Sequence, residues 1–327
     1  MSGVSGHIYT HGLEKTGLIT KIKNVLWGCR FYLREGSPGC TFRFGGGLGD
    51  HLLVSGVFRE YRVRGAKKLW MMTDHPEIFE DNQDVDRVVP DHWRVEKFCS
   101  RFGVKPCLLS YGKWVNVPDR LDPPQQHILA EIMERAGLSG DVAVRPWYPA
   151  VLPQNNKVDS RCVCVQGSGT RSSTEMKNKQ WDSEKYVELA ARLGNRYELV
   201  QLGLPGESDI PGAKDLRGKL SIRETAEVLA SARFFIGQVG FLMHLARAVE
   251  TRSIIVYGGR EKAWQSGYPC NENLETNPAC SPCWQSNKCD FDRVCLTDIS
   301  VEDVLAAVER IEKRLLSPLE TTIHKLN

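Results

Sequence analysis

The stretch 41–53, Thr-Phe-Arg-Phe-Gly-Gly-Gly-Leu-Gly-Asp-His-Leu-Leu, constrains the fold more than any other part of the chain. Alternating, partly aromatic residues run into four glycines and an aspartate. Leu52, Leu53, Val57 and Phe58 follow at helical spacing. The pattern predicts a strand, a tight turn and a helix. Glycine suits a backbone that bends sharply or meets a ligand closely. A helix start adds unpaired N–H groups and the positive end of a dipole. Asp50 stands where it caps this helix or points a carboxylate into a cleft. A dinucleotide fingerprint fits less well, because Asp50 takes the place of the third glycine, although Asp74 closes the next strand as such a site needs. The loop by itself does not choose among these.

The same rhythm repeats. Strands are expected at 41–44, 67–73, 85–89 and 105–110, with helices at 51–64, 76–81 and 127–136, the last stopped by Gly137. Residues 119–125 read as a Pro-rich loop. Residues 141–157 carry Pro146, Pro149 and Pro153 and read as a linker. The second half restarts with strands at 161–166, 197–202, 234–236 and 253–257. Its helices are at 183–193, 221–230, 243–249 and 301–316, and Ser221 with Glu224 forms a capping-box pattern. Alternating strands and helices imply parallel sheets covered on both faces. The expected fold is α/β: two Rossmann-like doubly wound domains facing across a cleft. Residues 1–40 are a loosely attached extension with a strand or amphipathic piece at 22–33. Residues 41–150 form one domain and residues 151–327 the other. Ligands in such sheets bind outside the carboxyl ends of the strands.

Composition narrows the classes. In 327 residues, 41% are hydrophobic and 25% charged, as in a soluble globular protein. The net charge of +3 is mild and interspersed, which argues against nucleic acid and allows at most peripheral contact with an anionic membrane. The first residues lack an apolar core, so no signal peptide is expected, and no run is long enough to span a bilayer. The expected location is cytoplasmic, with the eleven cysteines as reduced thiols or metal ligands. Cys280, Cys283, Cys289 and Cys295 are spaced C-x2-C-x5-C-x5-C in one polar loop. Four thiolates can close a structural site for zinc or iron; the alternative is reduced cysteines packing a loop. Cys162 and Cys164 alternate in a strand and are expected to face the core.

Four segments, in order and spacing, resemble one known family. They are Gly47-Leu48-Gly49-Asp50, Asn82-Gln83-Asp84-Val85-Asp86-Arg87-Val88, Gly167-Ser168-Gly169-Thr170-Arg171 with Lys179-Gln180-Trp181, and a fourth in two parts. The fourth joins the run from Asp215 to Ser221 to the run from Ile236 to Ala246. They are similar to the ADP-heptose:lipopolysaccharide heptosyltransferases, inverting glycosyltransferases of family 9 with the GT-B fold. The resemblance covers roughly residues 41–315. It implies transfer of a sugar, such as heptose, from a nucleotide diphosphate donor to an acceptor hydroxyl with no catalytic cofactor. It casts Asp50 as the base and Lys179 as the diphosphate contact. Ser168, Thr170, Arg171, Glu207, Gln238, Gly240 and His244 become donor-binding candidates, with Glu207 on the ribose. Some relatives that glycosylate proteins carry such cysteines around iron. The chain departs from the family at Gln238 and Val239, where an acidic residue and a Ser or Thr are usual. That departure leaves the donor sugar open. The acceptor, whether a saccharide, a protein or a small molecule, is not named by the sequence. A nucleotide-dependent oxidoreductase using the glycine loop and a catalytically degenerate GT-B binding module are the alternatives.

Overall fold

The computed structural model describes residues 18–114, 121–149, 161–167 and 176–326. Two parallel sheets organise it. The first is made of β1 (Cys40–Phe44), β2 (Leu69–Met72), β3 (Arg87–Val89) and β4 (Cys107–Leu109), in the order β3-β2-β1-β4. Around it lie α1 (Leu18–Glu35), α2 (Leu48–Val63), α3 (Trp93–Arg101) and α4 (Ile128–Arg135). A small hairpin, β5 (Lys113–Trp114) with β6 (Leu121–Asp122), and the strand β7 (Gly140–Ala143) complete this half.

The second sheet contains β8 (Cys162–Val165), β9 (Glu198–Gln201), β10 (Lys214–Asp215), β11 (Phe234–Gln238), β12 (Ser253–Val256) and β13 (Glu272–Leu274). Its order is β10-β9-β8-β11-β12-β13. The helices of this half are α5 (Ser183–Leu193), α6 (Ile222–Ser231), α7 (Phe241–Ala248), α8 (Ala263–Ser266), α9 (Val294–Thr297) and α10 (Val301–Arg314). The final strand, β14 (Ile323–Leu326), returns to the first half and pairs antiparallel with β7, Leu326 opposite Gly140.

The strand pattern explains the layering. Successive side chains alternate faces. Phe42, Phe44, Leu69 and Met71 pack with Leu52, Leu53, Val57 and Phe58 of α2. Trp70 and Met72 point the other way, onto Phe31 of α1 and Val95, Phe98 and Cys99 of α3. β11 is buried along its whole length, as a strand covered on both faces must be. The core containing α2 continues without a break into Leu242, Met243 and Leu245 of α7. The two halves therefore share an apolar seam where these helices meet.

Strand order reverses between β1 and β4 in the first sheet, and between β8 and β11 in the second. Such reversals open a crevice at the carboxyl ends of the strands. The glycine loop after β1 and the segment after β11 occupy those two points.

Several elements differ from the sequence reading. Residues 22–33 lie inside the single helix α1, whose Asn24, Trp27, Gly28, Phe31 and Glu35 face inward at helical spacing. It is packed on the sheet rather than loosely attached, with Trp27 stacked on Phe31 at 4.8 Å. α2 starts at Leu48, three residues earlier than expected, so Asp50 lies inside the first turn. α3 was not expected. Of the expected helix at 76–81, only the first three residues are helical, as a short 3-10 turn (Pro76–Ile78).

Candidate active site

The first component is the start of α2. Gly47 is the N-cap, and Asp50 is the third residue of the helix, closing a capping box on the Gly47 N–H rather than standing at the cap position itself. Asp50 Oδ2 accepts the Gly47 N–H at 2.8 Å, and Oδ1 accepts the Tyr111 hydroxyl at 2.9 Å. The carboxylate thus folds back over the loop. A Cβ on Gly46 would lie 2.3 Å from Oδ2, so only glycine leaves room there. Burial pushes the Asp50 carboxyl above its ordinary pKa, against the Tyr111 and Gly47 hydrogen bonds and the charge of Lys179. A carboxylate raised in this way is a stronger proton acceptor than one in water.

The second component is the start of α7. Gly240 is its N-cap, directly after Gln238 and Val239, which are buried at the end of β11. A Cβ on Gly49 would touch Phe241 Cα and His244 Cδ2 at 3.6 Å. The amino ends of α2 and α7 therefore abut, and two positive dipole ends converge on one region, an arrangement that favours an anion. His244 is buried, with Nδ1 2.6 Å from the Tyr268 hydroxyl. Burial, helped by His127 and Lys179, lowers its pKa to about 3, so the ring is neutral. The neutral ring hydrogen-bonds without adding charge.

The third component is Lys179, the last residue of a 3-10 turn (Lys177–Lys179). Its Nζ lies 2.6 Å from Glu261 Oε1, and the same oxygen lies 2.9 Å from Arg260 Nη1. Burial opposes the Glu261 charge, but Lys179 and Arg260 overcome it and hold the carboxyl down to about 2. Burial lowers the Lys179 pKa, while Glu261 and Asp50 favour its charge. Lys179 thus lies within electrostatic reach of both Asp50 and His244.

The cysteine loop supports this cluster from behind. Asn178, next to Lys179, donates from Nδ2 to the Gln285 and Lys288 carbonyls and accepts from Arg293 Nε. Trp284 lies buried beneath Arg260, whose guanidinium is 4.7 Å from the ring centre. The Tyr111 and Trp284 rings are 6.4 Å apart. Gly259 must be glycine, because a Cβ would meet Cys295 Cβ at 2.8 Å. The loop therefore fixes the turn bearing Lys179 and the backbone bearing Arg260. Its thiols are neighbours: burial raises Cys283 and Cys295, Cys280 and Cys289 raise both further, and Cys283 adds to Cys295. Among the described residues, no three His, Cys, Asp or Glu side chains converge as metal ligands would.

Glu207 sits beyond the end of β9, buried against Gly203, where a Cβ would lie 2.1 Å from its Oε2. Burial raises its pKa to about 7, against Arg217 and a hydrogen bond from Gln166. Among the described residues its Oε2 has no partner. Ser168, Thr170 and Arg171 lie outside the described residues. Cys164 is buried as expected, and Cys162 is partly exposed.

Sequence reasoning missed Tyr111, Arg260, Glu261 and Trp284. The available signal was position: Tyr111 follows β4, and Arg260 and Glu261 follow Gly258-Gly259 at the end of β12, the same end of the sheets as the other loops.

The sequence pattern described as "Glycosyltransferase family 9 (heptosyltransferase)" matches residues 169–290. No curated protein matches the chain in sequence. Among solved structures, the iron-containing dodecameric glycosyltransferase TibC from enterotoxigenic E. coli H10407 is similar, with TM-score 0.66 and 18% identity over 85% of this chain and 77% of that one. The E. coli ADP-heptose lipopolysaccharide heptosyltransferase II gives TM-score 0.58 and 11% identity, over 84% and 99% of the two chains. The E. coli heptosyltransferase WaaC with ADP gives 0.54 and 15%, over 84% and 100%. These likenesses bear out the expected GT-B fold.

Proposed function

We propose that this chain, a glycosyltransferase whose second half carries the family 9 pattern, moves a sugar from a nucleoside diphosphate donor to an acceptor hydroxyl with inversion. The carrying observation is the convergence of Asp50, Lys179 and the amino end of α7. In the reaction Asp50 takes the proton of the acceptor hydroxyl, and that oxygen bonds to the anomeric carbon. The bond from that carbon to the diphosphate oxygen breaks, and the nucleoside diphosphate leaves with the electron pair. Negative charge grows on the leaving group, where Lys179 and the α7 amides stabilise it. Tyr111 orients the base. Glu207, whose Oε2 has no partner among the described residues, accepts from a ribose hydroxyl of the donor.

ADP-heptose is the donor we favour. The supports are the family pattern and the similar structure of TibC, which was solved in complex with ADP-D-beta-D-heptose. Residues 41–150 take the acceptor and residues 151–327 the donor. In the cysteine loop we infer a structural zinc or iron ion. Four thiols in one loop have suitable donor chemistry, and closing them onto an ion requires the loop to tighten. When bound, the metal would supply a cross-link and no catalytic step. Metal analysis of the purified protein checks this, together with the Tm of Cys280→Ser.

The test is Asp50→Asn assayed with ADP-heptose and, in parallel, for ADP binding. A base of this kind contributes about 10²–10⁴-fold. Turnover should fall in that range with ADP affinity held. Unchanged turnover rejects the assignment. An oxidoreductase reading would instead require NAD binding, and a degenerate binding module would bind donor without hydrolysing or transferring it.

A further inference from the structure

α1 carries two stripes at helical spacing, the outer one wholly apolar. The inner one, Asn24, Trp27, Gly28, Phe31 and Glu35, is turned to the protein. A second stripe with identical spacing, Ile22, Val25, Leu26, Cys29 and Leu33, begins two residues earlier. Two residues are about 200° of helical rotation, so this stripe points straight out. Its side chains are bare: Leu33 is 83% exposed, Leu26 58%, Val25 53% and Ile22 50%. The apolar surface extends onto α3, where Tyr32 stacks on exposed Phe102 at 5.8 Å.

The charges around it have one sign. Lys23, Arg30 and Arg34 flank the stripe on one side, all exposed. On the other side are Lys97 and Arg101 of α3, with the Arg101 guanidinium laid against Gly28. The acidic side chains of the two helices are already paired. Glu35 pairs with Arg34 and Arg87, and Glu96 pairs with Arg43. An apolar face rimmed by cations is the form of a helix lying in a membrane interface. A second copy of this chain docked face to face would bring the same cations against themselves.

We propose that the outer face of α1 docks on an anionic lipid surface, with Leu26 and Leu33 entering the acyl boundary and Lys23 and Arg30 meeting headgroup phosphates. This is independent of the transfer reaction. Each cation near such a surface contributes on the order of fivefold in binding. The test is co-sedimentation of the full chain with vesicles of phosphatidylcholine alone, or with phosphatidylglycerol added. Binding should be at least tenfold stronger to the anionic vesicles and weaken with salt. Leu26→Glu with Leu33→Glu should abolish it. Lys23→Glu with Arg30→Glu should remove the preference for phosphatidylglycerol. Both pairs are exposed, so the Tm should hold, which separates loss of docking from loss of fold. The proposal is overturned if wild type ignores anionic vesicles or if neither pair of substitutions changes binding. It is also overturned if the leucine substitutions instead break an oligomer that does not bind vesicles.

Discussion

Glu261→Gln probes the cluster that tertiary structure creates. One carboxylate oxygen serves both Lys179, at 2.6 Å, and Arg260, at 2.9 Å. The side chains of Glu261 and Arg260 are 3% and 7% exposed, while that of Lys179 is 16% exposed. Breaking a buried pair by removing one partner costs about 3–5 kcal/mol. Partial exposure of Lys179 and the hydrogen bond that glutamine retains reduce this to about 2–3 kcal/mol. An unfolding entropy of about 2.1 cal/mol/K per residue then converts it to a Tm loss of roughly 3–4 °C for a chain unfolding as one unit. The sign with pH follows from the depressed pKa. The carboxylate contributes fully above its unfolded value of 4.5, and the contribution is lost as pH falls toward about 2. The variant also uncovers cationic charge beside the proposed diphosphate site. Thermal shift with saturating ADP should therefore give the variant a larger rise than wild type. An unchanged Tm without ligand, or a smaller rise with ADP, would refute the reasoning.

Other outcomes test neighbouring features. Tyr111→Phe removes the hydrogen-bond donor that favours the charged form of Asp50, so the acid limb of the kcat/KM profile should move to higher pH; an unmoved limb separates Asp50 from catalysis. Glu207 has a pKa raised from 4.5 to about 7, so wild type should lose stability as pH rises through that window. Glu207→Gln should lack this loss, and parallel Tm–pH curves for the two proteins would contradict it. In α2, a Cβ on Gly56 would lie 2.5 Å from the Arg145 carbonyl oxygen. Gly56→Ala should therefore cost about 1–3 kcal/mol in urea unfolding despite alanine's better helix propensity; a stabilised variant would be inconsistent with that contact.

Where one face of an element is buried, its period showed in the sequence. Phe42 and Phe44 alternate with polar neighbours, and Leu52, Leu53 and Val57 keep helical spacing, so β1 and α2 were legible. α1 was ambiguous because large apolar side chains lie on both of its faces, Trp27 and Phe31 inward and Val25, Leu26 and Leu33 outward, which hides a helical period. α3 was missed because basic Arg94, Lys97 and Arg101 interrupt a short buried stripe of Val95, Phe98 and Cys99. The site was half legible. Asp50 and Lys179 sit in glycine-bearing segments whose local chemistry is visible. Glu261, Arg260 and Tyr111 matter only through partners far away in the chain, and no local pattern records such contacts. Trp284 looked like part of a cysteine loop, and its role appears only once Arg260 lies over it.

The most direct measurement is calorimetric titration of the wild-type chain and Lys179→Ala with ADP and, separately, NAD. Expected is saturable ADP binding to wild type, weakened at least tenfold by the substitution, and no heat with NAD. Binding of NAD, or ADP binding indifferent to Lys179, would contradict a nucleoside diphosphate held between the two sheets.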